Sequence, residues 1–172
     1  GGADRAHVSV ILQQACGHSC LSHPCGAGQH HNDAGQLVSS ILATVTDIDT
    51  SNGSSVHSST NGVLQGVAIY STTVNGPSAG GHWEYKIGAG SWTAFGANTG
   101  TPADAVSPTS ALLLKSDDML RFVPDAKNGQ TATFDYYAWD QSDSTTAGSK
   151  VDVSTRGTPT PYSAGSDSVT IS

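Results

Sequence analysis

Short apolar runs with two-residue periodicity, separated by clusters of Gly, Asn and Pro, constrain the fold of this chain more than any other feature. The clearest are HWEYKI (82–87) and TATFDYYAWD (131–140), in which apolar and polar residues alternate. Such alternation is typical of strands with one buried face, because successive side chains of a strand point to opposite sides. The sequence therefore predicts an all-β, antiparallel sandwich.

Seven or eight short strands are expected, with turn residues between them. Residues 36–45 (QLVSSILATV) fit either a strand or a short helix, and residues 141–165 are predicted to form a loop. Gly88, Ala89 and Gly90 form a tight turn between two of the strands, which predicts a hairpin. The predicted strands are His7–Leu12, Val63–Tyr70, His82–Ile87, Ser91–Phe95, Ala111–Leu114, Met119–Val123, Thr131–Asp140 and Asp167–Ile171.

Composition agrees with the pattern and indicates how the chain is organised. Its 172 residues are 36% hydrophobic but only 12% charged, and Glu84 is the single glutamate among 14 acidic residues. Ser, Thr, Asn, Asp and Gly, which favour turns and the outer faces of strands, fill the polar positions. Residues 1–31 differ from the remainder and are interpreted as an N-terminal strand followed by a Cys/His-rich loop. Residues 32–172 form the predicted sandwich.

The charge and hydropathy of the chain exclude several classes of partner. Seven basic residues, scattered in a chain of net charge −7, cannot build a phosphate-binding stripe, so nucleic acid is not an expected partner. The longest apolar runs are much shorter than the roughly 18 residues that a membrane helix needs, so no membrane insertion is expected. The polar, Lys-poor composition favours a secreted or cell-surface protein whose leader has been removed.

Several segments resemble a known module when they are taken together and in order. The most specific are the hairpin HWEYKIGAGSWTAFG, the segment LRFVPDAKNGQTATF, and AWDQS followed by a long Ser/Thr/Gly loop. Over residues 32–172 the chain looks like the cadherin-like, VCBS-type repeats of large bacterial surface proteins, the RTX-like adhesins. The resemblance implies an Ig/cadherin-like sandwich that serves as a spacer or adhesive unit, often stabilised by calcium, and that is not an enzyme.

Residues 1–31 depart from the pattern of that family. They replace a short, Pro-rich apolar strand, and they carry cysteines, which such modules rarely contain. An additional N-terminal strand can pair with the open sheet edge of a neighbour, so copies of the chain itself or adjacent modules are the expected partners. We expect this contact from the assembly strand, whose apolar residues are Val8, Val10, Ile11 and Leu12.

Four aspartates are candidate calcium ligands. Asp47 and Asp49 form a DxD motif, which presents two carboxylates on one side of the chain about 7 Å apart. The resemblance places both of them, and Asp140 after Trp139, near one pole of the sandwich. Asp33 completes the set, with Asp143 as an outlier. Alternatively, these residues are loop aspartates that form Asx turns with their own backbone.

The segment ACGHSCLSHPCGAGQHH (15–31) holds all three cysteines of the chain. With His18, His23, His30 and His31 they supply enough donors for zinc or copper, although the spacing matches no standard metal motif. In an oxidising compartment a disulfide competes with the metal. Cys16–Cys25 and Cys20–Cys25 are both sterically easier than Cys16–Cys20, and the third thiol would then be available for a link between chains.

The sequence also bears on two function classes other than a structural role. No GxSxG motif marks a nucleophilic serine, and Asp117-Asp118 is explained by a turn before a strand, so no enzyme is expected. A glycan- or metal-binding module that uses the polar loops or the Cys/His segment is the alternative function. Its aromatic platform would be drawn from Trp83, Tyr85, Trp92, Tyr136, Tyr137 and Trp139, although at least one of the alternating pairs is expected in the core.

Overall fold

The fold is a two-sheet β-sandwich, described from a computed structural model that covers residues 7–9, 34–41, 66–76, 79–125, 129–157 and 159–171. A four-residue helix, α1 (Val38–Ile41), and a 3₁₀ turn at Pro102–Asp104 accompany the strands. In chain order the strands are β1 (His7–Ser9), β2 (Gln36–Leu37), β3 (Gly66–Asn75), β4 (His82–Lys86), β5 (Thr93–Phe95), β6 (Ala111–Lys115), β7 (Met119–Val123), β8 (Thr131–Trp139), β9 (Lys150–Val151) and β10 (Tyr162–Ile171).

The strands form a six-stranded sheet in the order β1-β10-β8-β3-β6-β9 and a four-stranded sheet in the order β2-β7-β4-β5. Neighbours are antiparallel throughout the described strands except for β1 and β10, which run parallel. The predicted hairpin is confirmed, since Trp83 of β4 lies opposite Phe95 of β5. None of the described helices is long and apolar enough to cross a membrane.

The inner core lies between the two sheets, and the longer strands contribute alternate residues to it. On β8 the residues Ala132, Phe134, Tyr136 and Ala138 belong to this core. Trp83 packs edge-on against Phe134, with ring centroids 5.1 Å apart. On β8 the alternation in the sequence therefore marks the inner face correctly.

A second apolar cluster lies on the outer face of the six-stranded sheet. It contains Ala68, Ala111, Leu113, Tyr137, Trp139, Val153 and Tyr162. Val153 belongs to residues 140–161, here called the covering segment, which leads from β8 through β9 to β10. Because β9 and β10 lie near opposite edges of the sheet, the chain crosses its outer face between them. The runs 67–69, 111–114 and 136–139 are therefore buried on both faces.

Three sequence predictions differ from the structure in extent. Residues 36–41 form β2 and then α1, so the predicted strand-or-helix segment contains both. The strand predicted at 63–70 runs from Gly66 to Asn75. Residues 141–165 are not loop throughout, because they include β9 and the start of β10. That start was missed because residues 163–166 (SAGS) offer no apolar alternation and the β10 register shifts between Tyr162 and Ser166.

Candidate functional site

Of the four predicted calcium ligands, the structure describes Asp140. Asp33, Asp47 and Asp49 lie outside the described residues. Asp140 is exposed and follows β8 directly. Its Oδ1 accepts a hydrogen bond from the backbone N–H of Ser142 at 2.8 Å, which is an Asx turn. Its carboxylate therefore forms a local turn while remaining open to solvent.

Asp143 makes the densest set of contacts in the covering segment. Its Oδ1 accepts hydrogen bonds from Trp139 Nε1 at 3.0 Å and from the N–H of Thr145 at 3.2 Å. Its Oδ2 accepts from Thr145 Oγ1 at 2.7 Å and from the Tyr162 hydroxyl at 3.0 Å. One carboxylate thus links the end of β8 to the start of β10.

The hydrogen bonds also set the charge state of Asp143. Burial alone would raise the pKa of its carboxyl, but donors on Thr145, Trp139 and Tyr162 outweigh burial and hold the pKa below its usual value of 3.8. Burial, followed by the hydrogen bond to Asp143, raises the pKa of the Tyr162 hydroxyl, which keeps its proton for donation. The pair is therefore a neutral phenol bonded to a charged carboxylate, a charge-assisted contact.

The covering segment has further anchors on the sheet. Lys150 Nζ donates to the carbonyl oxygens of Ala103 at 2.6 Å and Ala105 at 2.7 Å, at the 3₁₀ turn. The Arg156 guanidinium lies 4.4 Å from the ring centroid of Tyr137. The Arg156 contact holds the part of the segment after β9 against the outer face, where Tyr137 lies, whereas Lys150, on the edge strand β9, ties the segment to the 3₁₀ turn.

Asp117-Asp118 forms a turn, as predicted. Asp118 is almost fully buried between β6 and β7, and its Oδ2 accepts a hydrogen bond from the N–H of Lys115 at 2.7 Å. Burial raises the pKa of Asp118, and backbone hydrogen bonds from Lys115 and Gly88 partly offset that rise. Asp117 remains exposed at the turn. Among the described residues, no group of three or more His, Cys, Asp or Glu could hold a metal ion.

The aromatic residues do not form one exposed platform. Trp83 and Trp139 are buried, in the inner and outer clusters respectively. Trp92 is partly exposed on the four-stranded sheet, where the Arg121 guanidinium lies 4.3 Å and Lys86 Nζ 5.1 Å from its ring centroid. Cations on its ring limit the surface that a sugar could stack upon.

Of the predicted assembly strand, the structure describes β1, which lies at the edge of the larger sheet among the described strands. His7, Val8 and Ser9 pair with Ser168, Val169 and Thr170 of β10, in parallel register. Val10, Ile11 and Leu12 lie outside the described residues, as do Cys16, Cys20, Cys25, His18, His23, His30 and His31 of the Cys/His segment. In this structure, therefore, β1 occupies the edge of its own β10.

Sequence reasoning missed the covering segment as a structural layer and treated Asp143 as an outlier. A signal was available in the unbroken apolar runs at 111–114 and 136–139, which indicate strands with two buried faces. No protein-family model, curated protein sequence or solved structure gives a significant match to the chain. Functional interpretation therefore depends on the sequence motifs and the geometry above.

Proposed function

We propose that this chain is an extracellular structural module, a building block of a bacterial surface adhesin or fibre. The observation that carries the proposal is the position of β1, a short N-terminal strand at the edge of the six-stranded sheet beside β10. The motifs shared with cadherin-like repeats support it. The burial of Trp83 and Trp139 in the two clusters also supports it, because these side chains stabilise the sandwich and are not exposed to bind a ligand.

Assembly would use the same pairing between copies as within one chain. The partner of β1 is β10, which is paired along its other side with β8. If β1 of one copy pairs with β10 of the next, the contact is chemically identical to the one within a single chain, as in domain swapping. A contact of this head-to-tail kind repeats into a filament when its rotation does not close a ring.

Calcium is proposed as a stabilising ion at the pole that holds Asp140. Support comes from the exposed carboxylate of Asp140 and from the DxD spacing of Asp47 and Asp49. For the Cys/His segment, a disulfide is preferred over zinc or copper, since an extracellular location is oxidising. A secreted or surface-attached location is part of the same proposal.

The test compares the full chain with a variant that lacks residues 1–14. Negative-stain microscopy and size-exclusion chromatography, with and without chelator and reductant, should show filaments for the full chain. They should show only folded monomers for the truncated one. Far-UV circular dichroism checks that the truncated sandwich remains β-structured.

A synthetic peptide of residues 1–14 supplies the control. Added to the full chain, it should occupy free β10 edges and shorten the filaments, whereas a scrambled peptide should not. Monomers of the full chain under all conditions, or filaments that persist after truncation, would contradict assembly through β1.

A further inference from the structure

We propose that the β1–β10 pair is a mechanical clamp, which bears load when the chain is stretched between the segments that precede β1 and follow β10. The inference rests on the proposed structural role and adds to it the place where force is resisted. It follows from one feature of the topology, the parallel direction of β1 and β10.

In a parallel pair, the N-terminal end of one strand lies beside the N-terminal end of the other. Force therefore enters β1 at the His7 end, beside Ser168, and leaves β10 beyond Thr170 at the opposite end of the pair. The two strands are drawn past each other along their length. All hydrogen bonds between them are loaded at once, whereas a force across the strands would open them one by one.

The β10 side of the clamp is anchored by a second set of strand contacts, those with β8. β10 pairs with β8 from Ser166 to Ile171 and again at Tyr162. Side-chain bonds add to this ladder, since Thr133 and Thr170 hydroxyls lie 2.8 Å apart and Ser168 Oγ donates to Asp135 at 2.6 Å. Val169 is fully buried in the inner core.

β10 is paired with β8 along its other side, and β1 is at the edge of the described strands. The first rupture is therefore the release of β1 from β10. Until β1 slides, the load passes between β1 and the stretch of β10 from Ser168 to Thr170. The chain should therefore show one resisted event before the sandwich itself extends.

Single-molecule force spectroscopy tests the clamp on the full chain, in reductant, so that no disulfide carries load. Handles at both chain ends load the pair along its strands. Handles at the N-terminus and at Asp152, an exposed residue directly after the opposite edge strand β9, load it across the strands. The first rupture should need more force in the end-to-end geometry.

Two neighbouring substitutions provide the matched comparison, Val8→Pro and Ser9→Pro. N–H groups of consecutive strand residues point to opposite sides, so at an edge only one of the two faces β10. The proline that removes a ladder bond should speed the first rupture at constant force roughly two- to tenfold, as expected for one hydrogen bond. The other proline should leave the rate nearly unchanged.

A core variant separates the clamp from general stability. Leu112→Ala should lower the melting temperature while the two pulling directions still differ. Equal rupture forces in the two directions, or equal effects of the two prolines, would overturn the clamp. Since single molecules are pulled, failure of filament formation leaves this test intact, and filaments without directional resistance would refute the clamp alone.

Discussion

At the scale of single residues, the two carboxylate oxygens of Asp143 accept hydrogen bonds from Trp139 Nε1 and from the Tyr162 hydroxyl. Asp143→Asn keeps the size of the side chain but removes its charge. With Oδ1 still accepting from Trp139 Nε1, the new amide group can only donate to the hydroxyls of Thr145 and Tyr162, so the charge-assisted bonds are lost. Because Asp143 is exposed to solvent, the free energy of unfolding should fall by about 0.5–1.5 kcal/mol, measured by urea denaturation. Asp140→Asn is the control, because its Asx turn survives, and it should change little.

The same carboxylate gives a specific dependence on pH. Because the folded-state pKa of Asp143 lies below its usual 3.8, its stabilisation is present above that value and is lost as pH falls through the folded-state pKa. The difference between the wild-type chain and Asp143→Asn should therefore shrink in strong acid. Urea midpoints measured from pH 7 to pH 2 check this, and a constant difference would mean that charge plays no part.

Calcium dependence of thermal stability distinguishes the two roles predicted for Asp47 and Asp49, as calcium ligands or as residues that form turns. Asp47→Ala with Asp49→Ala should lower the melting temperature in calcium and leave it unchanged in chelator, because only the ion-bound state loses ligands. Asp152→Ala is the control, since Asp152 accepts a hydrogen bond from the N–H of Ser154 in an Asx turn. An equal loss in chelator for the double variant would identify Asp47 and Asp49 as turn-formers.

At the scale of elements, β6 shows that the covering segment belongs to the fold. Leu112 faces the inner core and Leu113 the outer cluster, and both are fully buried. Leu112→Ala and Leu113→Ala should each lower the free energy of unfolding by about 2–5 kcal/mol. Lys115→Ala, on the exposed end of the strand, should stay within about 0.5 kcal/mol. A tolerated Leu113→Ala would mean that the outer face is not packed.

Strand existence was predictable where one face is buried, because packing then imposes period two on the sequence. The β4–β5 hairpin is such a case, and its Gly88–Gly90 turn marks the reversal. The covering segment could not be predicted in this way, because it is anchored by single contacts such as those of the Asp143 carboxylate and of Val153. Such contacts depend on which strands lie beneath them, and no local pattern encodes that.

At the scale of the whole molecule, the sandwich class followed from the sequence but the strand order did not. β3 pairs with β6 and β8, not with its chain neighbour β4. Such pairings join residues far apart in the chain and are selected by the packing of both sheets together. The expectation of assembly likewise follows from an additional N-terminal strand in the sequence. That this strand lies beside β10 could be learned only from the sheet topology.

The covering segment also determines where this protein can accept foreign sequence. Its Ser-, Thr- and Gly-rich composition resembles that of a loop that would tolerate an epitope or a fluorescent label, yet its own residue Val153 is fully buried. Gly88 and Gly100 lie in turns where an added side-chain atom would meet nothing within 4 Å, but both have a positive φ, so an insertion should follow the glycine and leave the glycine itself in place. Engineers who display peptides on this scaffold should therefore choose these two turns and leave residues 140–161 intact.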